Sequence, residues 1–380
     1  MATFDAPKAR QVVFQLHLWV ALILCIPLVL LGLTGSALMM PDTLNRLTNP
    51  VPTVAADAQA TKSASAYLDA ARAAVPASVK ITGLKMPTAS GVPVAVAATT
   101  GAPGPGGGRT IWVDPSTAQL IKITPSTAPL FAWSHDFHGA FLVNGPGRAY
   151  VGWAGVAMTL LSFTGIWLWW PRGAFAKGFR WRRTPDTMNN LHHLFGFWLS
   201  LPLALISLTG VFISFPSLTN AVFGAPPAAQ APGRPAEGGP GGRTSGPPRQ
   251  TPDQAVAVAQ SAHPGAQFAG LTFPGVGGRG PQAGPRNAWR IELSDQGKPS
   301  TVMVDDATGA VSAAAPQGPR GGGQTGPRAM IRPLHEGEVG GVVWKWVVFI
   351  AGLLPLLLAV TGVYLWARNE LRKAAARQAA

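Results

Sequence analysis

Four apolar segments limit what this chain can fold into. Each is at least as long as the ~20 residues that cross a bilayer as a helix, and they lie at about 12–40, 149–170, 191–216 and 342–367. Buried core helices are the other interpretation, but four runs with almost no charge favour membrane spans. Lys8 and Arg10 precede the first run as in a signal peptide. Because that run exceeds the ~7–15 apolar residues of a signal peptide, we interpret it as a retained span.

The positive charge is arranged around these segments. The chain has a net charge of +14, and its Lys and Arg residues cluster before the first segment, after the fourth, and in the link at Arg172, Lys177, Arg180, Arg182 and Arg183. Since Lys and Arg beside spans mark the cytoplasmic side, we predict a multi-pass inner-membrane protein with both termini cytoplasmic and two long periplasmic loops. We attribute the positive charge to this topology in the lipid bilayer, and we predict no nucleic-acid partner.

The apolar segments repeat each other. His17–Gly35 and His192–Gly210 are identical at eight of nineteen aligned positions, including an opening histidine, a proline ten residues later and a closing Thr-Gly. The stretches that begin at His138 and His335 also align without a gap, and both reach a Thr-Gly, at Thr164 and Thr361. The chain is therefore a tandem repeat, and its Thr-Gly pairs are interpreted as sites of close helix packing, because small residues let membrane helices approach.

The loops repeat more weakly. A helical run precedes an alternating strand pattern in each: 63–76 before "TIWVD" (110–114), and 251–264, which opens on the capping-box pair Thr251 and Gln254, before "TVMVD" (301–305). Pro and Gly dominate 224–250 and 313–329, a composition that cannot bury enough apolar surface to order a segment. We interpret both stretches as flexible linkers.

The predicted fold is a mostly α membrane protein. It is a four-transmembrane-helix bundle from a tandem two-span repeat, with two small α+β periplasmic segments. The boundaries are 1–40 (N-terminus and first span), 41–145 (first outer segment), 146–171 (second span), 172–190 (basic link), 191–216 (third span), 217–334 (second outer segment, containing both linkers), 335–367 (fourth span) and 368–380 (cytoplasmic tail).

Four histidines occupy repeated positions at the ends of the spans. An ionisable side chain in a span is costly unless it is paired, and helical bundles hold haem between axial histidines. A solvated histidine at a helix end is common, but four at repeated positions favour a shared role. We therefore predict two bis-histidine haem sites, an inner one from His17 and His192 and an outer one from His138 and His335. The chain has one cysteine and hence no CxxCH motif, so the haem is the non-covalent b type, two per chain.

Several neighbouring residues leave alternatives open. His193 competes with His192 as a ligand, although the repeat favours His192. His135 aligns with Arg332 and has no symmetric partner, so it is an alternate ligand or a contact for a substrate. Arg148 and Lys345 follow their histidines by ten residues; they pair with haem propionates or anchor the chain at the membrane interface.

The chain resembles the PepSY-associated transmembrane family, which includes ferric-siderophore reductases of the inner membrane. The motifs that carry the resemblance are "HLWVAL" (17–22), "HDFHGAFLVNGPGR" (135–148), "LHHLFGFW" (191–198) and the Thr-Gly and Trp that end the second and fourth spans. It implies b-type haem, PepSY-like outer segments and electron delivery to a periplasmic acceptor, often a ferric chelate. The chain departs from the pattern at Ala21, in the Pro/Gly insertions and around "LHEGEVGG" (334–341).

Two classes of function follow. The first is a haem-dependent transmembrane oxidoreductase that reduces a periplasmic ferric chelate in iron uptake, with a cytoplasmic or quinone electron donor that the sequence does not identify. The second is a membrane-anchored PepSY module that binds or regulates a periplasmic partner without catalysis, and a haem subunit of another oxidoreductase is a further alternative. An absorbance spectrum separates the first class from the PepSY module.

Overall fold

The computed structural model describes residues 6–101, 105–170, 184–224, 247–276, 287–314 and 326–379. The basic cluster 172–183 and most of the two predicted linkers lie outside these ranges. The described elements, in chain order, are α1 (Ala6–Ile23), α2 (Cys25–Leu38), α3 (Pro41–Thr48), α4 (Ala64–Ala73), β1 (Lys80–Lys85), β2 (Val94–Thr99), β3 (Gly108–Val113), β4 (Leu120–Pro125), α5 (Pro129–Ala140), α6 (Gly147–Trp169), α7 (Thr187–Ser214), α8 (Pro216–Phe223), α9 (Pro252–Ala262), β5 (Gln267–Thr272), β6 (Ala288–Asp295), β7 (Lys298–Asp305), β8 (Val311–Ala313), α10 (Pro327–His335) and α11 (Gly341–Ala379).

The chain forms two compact units. The helical unit comprises 1–41, 133–225 and 325–380, and the sheet unit comprises 42–132 and 226–324. In the helical unit, α6, α7 and α11 are long and apolar enough to cross a membrane. The bent pair α1–α2 adds a fourth candidate if it is counted as one span; its two helices meet at a bend of 67°. The bend lies just before Pro27, which has no N–H to donate to the preceding turn.

Polar contacts near the helix ends fix the packing of the helical unit. The Arg10 guanidinium on α1 donates to the Leu168 carbonyl near the end of α6. Asp186 caps α7 by accepting from the Met188 N–H, and the same carboxylate pairs with Arg368 on α11 at 2.5 Å. The start of α7 is therefore tied to the last third of α11.

The sheet unit corrects the predicted fold class. The two loops do not form two small segments; their strands join one eight-stranded antiparallel sheet in the order β4-β3-β2-β1-β5-β6-β7-β8. The predicted four-helix bundle is also wrong, because three single helices of the described chain qualify as spans. A separate four-stranded segment would leave β1 or β5 as an unpaired edge, and pairing the two strands removes that edge.

The centre of the sheet is symmetric. Leu84 of β1 lies opposite Leu271 of β5, flanked by the pairs Gly83–Thr272 and Lys85–Gly270. A Cβ atom on Gly83 would lie 2.6 Å from the Leu271 carbonyl oxygen, and one on Gly270 would lie 2.8 Å from that of Leu84. Glycine is therefore required where the two repeats meet.

One apolar core supports this sheet. Helices α4 and α9 pack against the strands of their own repeats and against each other, and the side chains of Tyr67, Ile111 and Trp289 are fully buried between them and the sheet. The predicted capping box at Thr251 and Gln254 is confirmed at the start of α9.

Two equivalent turns close the last hairpin of each repeat. The Asp114 carboxylate accepts hydrogen bonds from Ser116 and Thr117, and the Asp305 carboxylate accepts from Ala307 and Thr308. These bonds favour the ionised carboxylates and lower both pKa values. The strands predicted at "TIWVD" and "TVMVD" are confirmed as β3 and β7, and each is followed by a hairpin turn.

Candidate functional site

The outer pair, named after the predicted orientation, consists of His138 and His335. His138 lies near the end of α5, and His335 is the last residue of α10, so each is carried by a short helix that precedes a long apolar one. The centroids of the two imidazole rings are 6.0 Å apart, with the ring planes inclined at 45°. The structure therefore brings together two histidines from different repeats.

Each outer imidazole makes its hydrogen bond through Nδ1. The Nδ1 of His138 lies 2.9 Å from the Leu31 carbonyl oxygen on α2. The Nδ1 of His335 lies 2.9 Å from the Ile206 carbonyl oxygen and 3.0 Å from the Thr209 hydroxyl on α7. A carbonyl oxygen only accepts, so Nδ1 carries the proton and the lone pair of Nε2 is left for another partner.

The inner pair, His17 and His192, is held in the same way. The Nδ1 of His17 lies 2.8 Å from the Thr164 hydroxyl on α6, and that of His192 lies 2.9 Å from the Thr361 hydroxyl on α11. All four predicted histidines therefore present Nε2, the nitrogen that a metal can take when Nδ1 is hydrogen-bonded.

The glycine of each Thr-Gly pair makes room for one imidazole. A Cβ atom on Gly35 would lie 2.7 Å from Cε1 of His138, and one on Gly210 would lie 3.2 Å from Cε1 of His335. The corresponding distance is 3.4 Å from Gly165 to His17 and 3.3 Å from Gly362 to His192. Each of these glycines leaves room for a histidine ring, a role that the sequence interpretation as helix-packing positions missed. We call each Thr-Gly pair that adjoins an imidazole a histidine seat. The signal was present, because every predicted histidine has a Thr-Gly pair at a repeated spacing.

Burial keeps the outer pair uncharged. Removal from solvent, and then the neighbouring charge of His335, lowers the pKa of His138 to about 4. Burial likewise lowers the pKa of His335. These lowered pKa values favour the neutral imidazoles, the form that coordinates a metal.

The two pairs are far apart along the helices. Helix α7 carries His192 in its second turn and the Thr209 seat of His335 near its other end. At 1.5 Å per residue, the intervening helix spans roughly 25 Å. The four histidines therefore form two separate pairs.

Two imidazoles suit one class of cofactor. The described residues contain no group of three or more His, Cys, Asp or Glu side chains that could hold a metal ion. Haem needs only axial ligands from the protein. Two imidazoles on one iron have centroids roughly 6 Å apart, from bonds of about 2.0 Å, a length borrowed from zinc sites, and about 1.1 Å more to each ring centre. The centroid separation of the outer pair, 6.0 Å, is close to this distance.

The comparisons agree with the architecture. The model of the PepSY-associated TM region matches residues 14–369, nearly the whole chain. The chain belongs to this family. No curated protein matches the chain. The predicted resemblance to the PepSY-associated family is confirmed, and with the apolar helices it identifies a multi-pass membrane protein.

The remaining predicted residues of this family member lie outside the pairs. His193 lies against Trp169, with ring centroids 5.0 Å apart and the rings tilted by 30°, whereas His192 contacts Thr361 and Gly362 on α11. His135 is exposed and lies 3.2 Å from the Asp136 carboxylate. The exposed Arg148 donates to the Ile213 carbonyl at the end of α7, and Lys345 is exposed on α11.

Proposed function

We propose that this chain binds two b-type haems and carries electrons across the inner membrane to a periplasmic ferric chelate. The observation that carries the proposal is the outer pair, two imidazoles from different repeats at 6.0 Å with Nδ1 of each already bonded. The imidazoles of His17 and His192 are likewise hydrogen-bonded through Nδ1, to the hydroxyls of Thr164 and Thr361. The ferric chelate is proposed from the family resemblance, and the electron donor is not assigned.

The chain's own residues prepare both sites for a haem. The acceptors on Nδ1 hold each imidazole in one tautomer and orientation, so that no reorganisation is needed when Nε2 binds iron. When bound, haem supplies a one-electron Fe(III)/Fe(II) couple. With haem bound, the helices around each pair would lower the local dielectric, which tunes the potential of that couple.

The separation of the pairs supports two sites of transfer. A single iron takes both axial nitrogens within about 4 Å, a distance borrowed from metal–histidine bonds of about 2 Å, whereas the sites lie roughly 25 Å apart along α7. The proposal therefore assigns one haem to each pair: His17 and His192 would hold the haem that receives electrons, and His138 and His335 would hold the haem that delivers them.

Haem counting in single histidine variants tests the proposal. We expect the purified protein to contain two haems per chain by pyridine haemochrome assay, with a low-spin bis-histidine spectrum. His17→Ala or His192→Ala should remove one haem, and His138→Ala or His335→Ala should remove the other. His263→Ala, at an exposed position in the sheet unit, is the matched control and should retain both.

Two results would contradict this assignment. A colourless, folded protein from haem-replete cells would support the PepSY module without a cofactor instead. Loss of the same haem in His17→Ala and His138→Ala would contradict the two-site arrangement. For the acceptor, the dithionite-reduced protein should be reoxidised by a ferric siderophore under anaerobic stopped flow, and more slowly in His138→Ala.

A further inference from the structure

The fourfold Thr-Gly motif is not used in the same way at its four positions. Threonine hydroxyls lie within hydrogen-bond distance of Nδ1 of three histidines: Thr164 for His17, Thr361 for His192 and Thr209 for His335. The Nδ1 of His138 instead bonds the Leu31 carbonyl, 2.9 Å away, while Thr34 turns its hydroxyl to the carbonyls of its own helix.

We propose that Thr164, Thr361 and Thr209 are positioning residues that tune the iron through the imidazoles of His17, His192 and His335, and that Thr34 has no such role. This inference rests on the proposed function, since it concerns haem ligands. It assigns different tasks to four residues that the sequence repeat makes equivalent.

The direction of each hydrogen bond follows from the second contact of the hydroxyl. Thr164 Oγ1 lies 2.7 Å from the Leu160 carbonyl oxygen, and Thr361 Oγ1 lies 2.8 Å from that of Leu357. A hydroxyl has one proton and a carbonyl can only accept, so that proton is donated within the helix. The hydroxyl oxygen is then left to accept from the imidazole Nδ1–H.

An acceptor on Nδ1–H raises the basicity of Nε2 and strengthens its bond to the more highly charged ferric iron. Replacing the hydroxyl with a methyl group of similar size removes that acceptor. The ferric state then loses more binding free energy from the Nε2–iron bond than the ferrous state does. The reduction potential of that haem therefore rises.

The size of the effect depends on what else accepts the proton. Thr164 is the hydrogen-bond partner that the structure shows for His17. The Ile206 carbonyl oxygen also lies 2.9 Å from Nδ1 of His335. We therefore expect Thr164→Val to shift the potential more than Thr209→Val, because the Ile206 carbonyl would still accept from His335.

The test is the midpoint potential of the inner haem in the full-length, haem-loaded protein. A His335→Ala background removes the outer haem and leaves one redox transition to measure by optical titration. In this background, Thr164→Val should shift the ferric-over-ferrous affinity ratio about tenfold, which is about 59 mV upward for a one-electron couple. Thr164→Ser retains a hydroxyl and should restore the original potential.

Thr34→Val is the matched control in the complementary His17→Ala background, which retains the outer haem. That residue is also buried, at 4% exposure, and belongs to the same motif, so a purely structural effect would appear there too. The midpoint potential of the outer haem should not change in Thr34→Val. In the same background, Thr209→Val should raise that potential, but by less than Thr164→Val raises the potential of the inner haem.

The outcomes separate the two proposals. A wild-type protein without haem overturns the proposed function. A wild-type protein with two haems and an unchanged potential in Thr164→Val overturns only the role of the threonines. Equal shifts in Thr34→Val and Thr209→Val, or failure of Thr164→Ser to restore the potential, also overturn it.

Discussion

The two halves of the helical unit provide the same contacts through differently shaped helices. In the second half, α7 runs unbroken through Pro202 from His192 to the Thr209 seat. In the first half, the equivalent stretch is the bent pair α1–α2, which turns by 67° near Pro27. Yet His17 contacts Thr164 as His192 contacts Thr361. Gly35 likewise adjoins the ring of His138 as Gly210 adjoins that of His335.

This difference shows which features the repeat preserves. The path of the helix varies between the halves, and so does the use of Thr34 and Thr209. The histidine, one equivalent hydrogen-bond partner of its Nδ1 and the glycine beside its ring do not vary. Equivalent prolines give a kink in one helix and a continuous helix in the other, so proline alone does not determine the bend. The contacts at the histidine seats are the shared constraint.

The largest effect that we expect from testing this comparison is at the outer seats. Gly35→Ala would place a methyl group 2.7 Å from Cε1 of His138, against 3.2 Å for Gly210→Ala and His335. We expect Gly35→Ala to weaken haem binding at the outer pair on the order of a hundredfold, and Gly210→Ala to weaken it less. Haem retained after dilution and gel filtration measures both.

Gly139→Ala is the control for this pair of variants. It lies next to His138 on α5, but a Cβ atom there has no heavy atom within 4 Å. It should retain haem as the unmodified chain does. Equal losses in all three variants would show that the outer site responds to helix stability rather than to room for the ring.

A smaller effect is expected at the centre of the sheet, where the halves are symmetric. Gly83→Ala and Gly270→Ala each push a methyl group against a backbone carbonyl that cannot rotate away. Each should lower the free energy of unfolding by about 2 kcal/mol, measured by urea denaturation with tryptophan fluorescence. Gly106→Ala, in open space, should have little effect, and a large difference between the two central variants would contradict the symmetry of the register.

The smallest effects are expected at the helix caps, where the halves differ again. Thr251 and Gln254 form a reciprocal capping box on α9, whereas Ser63 caps α4 with a single bond from Ala66 N–H. Thr251→Ala should cost about 1 kcal/mol and Ser63→Ala roughly 0.5 kcal/mol. The same urea titration measures both, and a larger cost at Ser63 would reverse the expected order.

Local patterns predicted the parts of the fold that local forces determine. The apolar runs predicted the helices α6, α7 and α11, and the alternation around "TIWVD" and "TVMVD" predicted two strands. The pair Thr251 and Gln254 predicted the start of a helix. These features depend on hydrogen bonds and burial within a few residues, so one sequence is enough to detect them.

The joined sheet could not be predicted in this way. The pairing of Leu84 with Leu271 connects strands that are far apart in the chain, and each strand alone is compatible with a separate small sheet. Gly83 and Gly270 were the available clue, because a close backbone approach requires glycine in both. The bend between α1 and α2 was equally hidden, since Pro27 and Pro202 look alike in sequence.

The histidines of the candidate site were predicted from the sequence, but the hydrogen bonds that hold their rings were not. The four histidines were identified by their repeated positions, and their role as haem ligands stays a prediction. The hydrogen bonds from Nδ1 to Leu31, Ile206, Thr164 and Thr361 need the tertiary structure, because each joins residues on different helices.

The location of the seats has a consequence for assembly. Each histidine rests on a helix of its own half, as with His17 on Thr164 and His335 on Thr209, whereas His138 and His335 meet across the halves. Two separate copies of one half, related by a twofold axis, would therefore offer the same self-complementary surface, but their pairing would depend on protein concentration. Joining them in one chain replaces that dependence with a fixed effective concentration. Dilution in the membrane therefore cannot separate the two histidines of a pair.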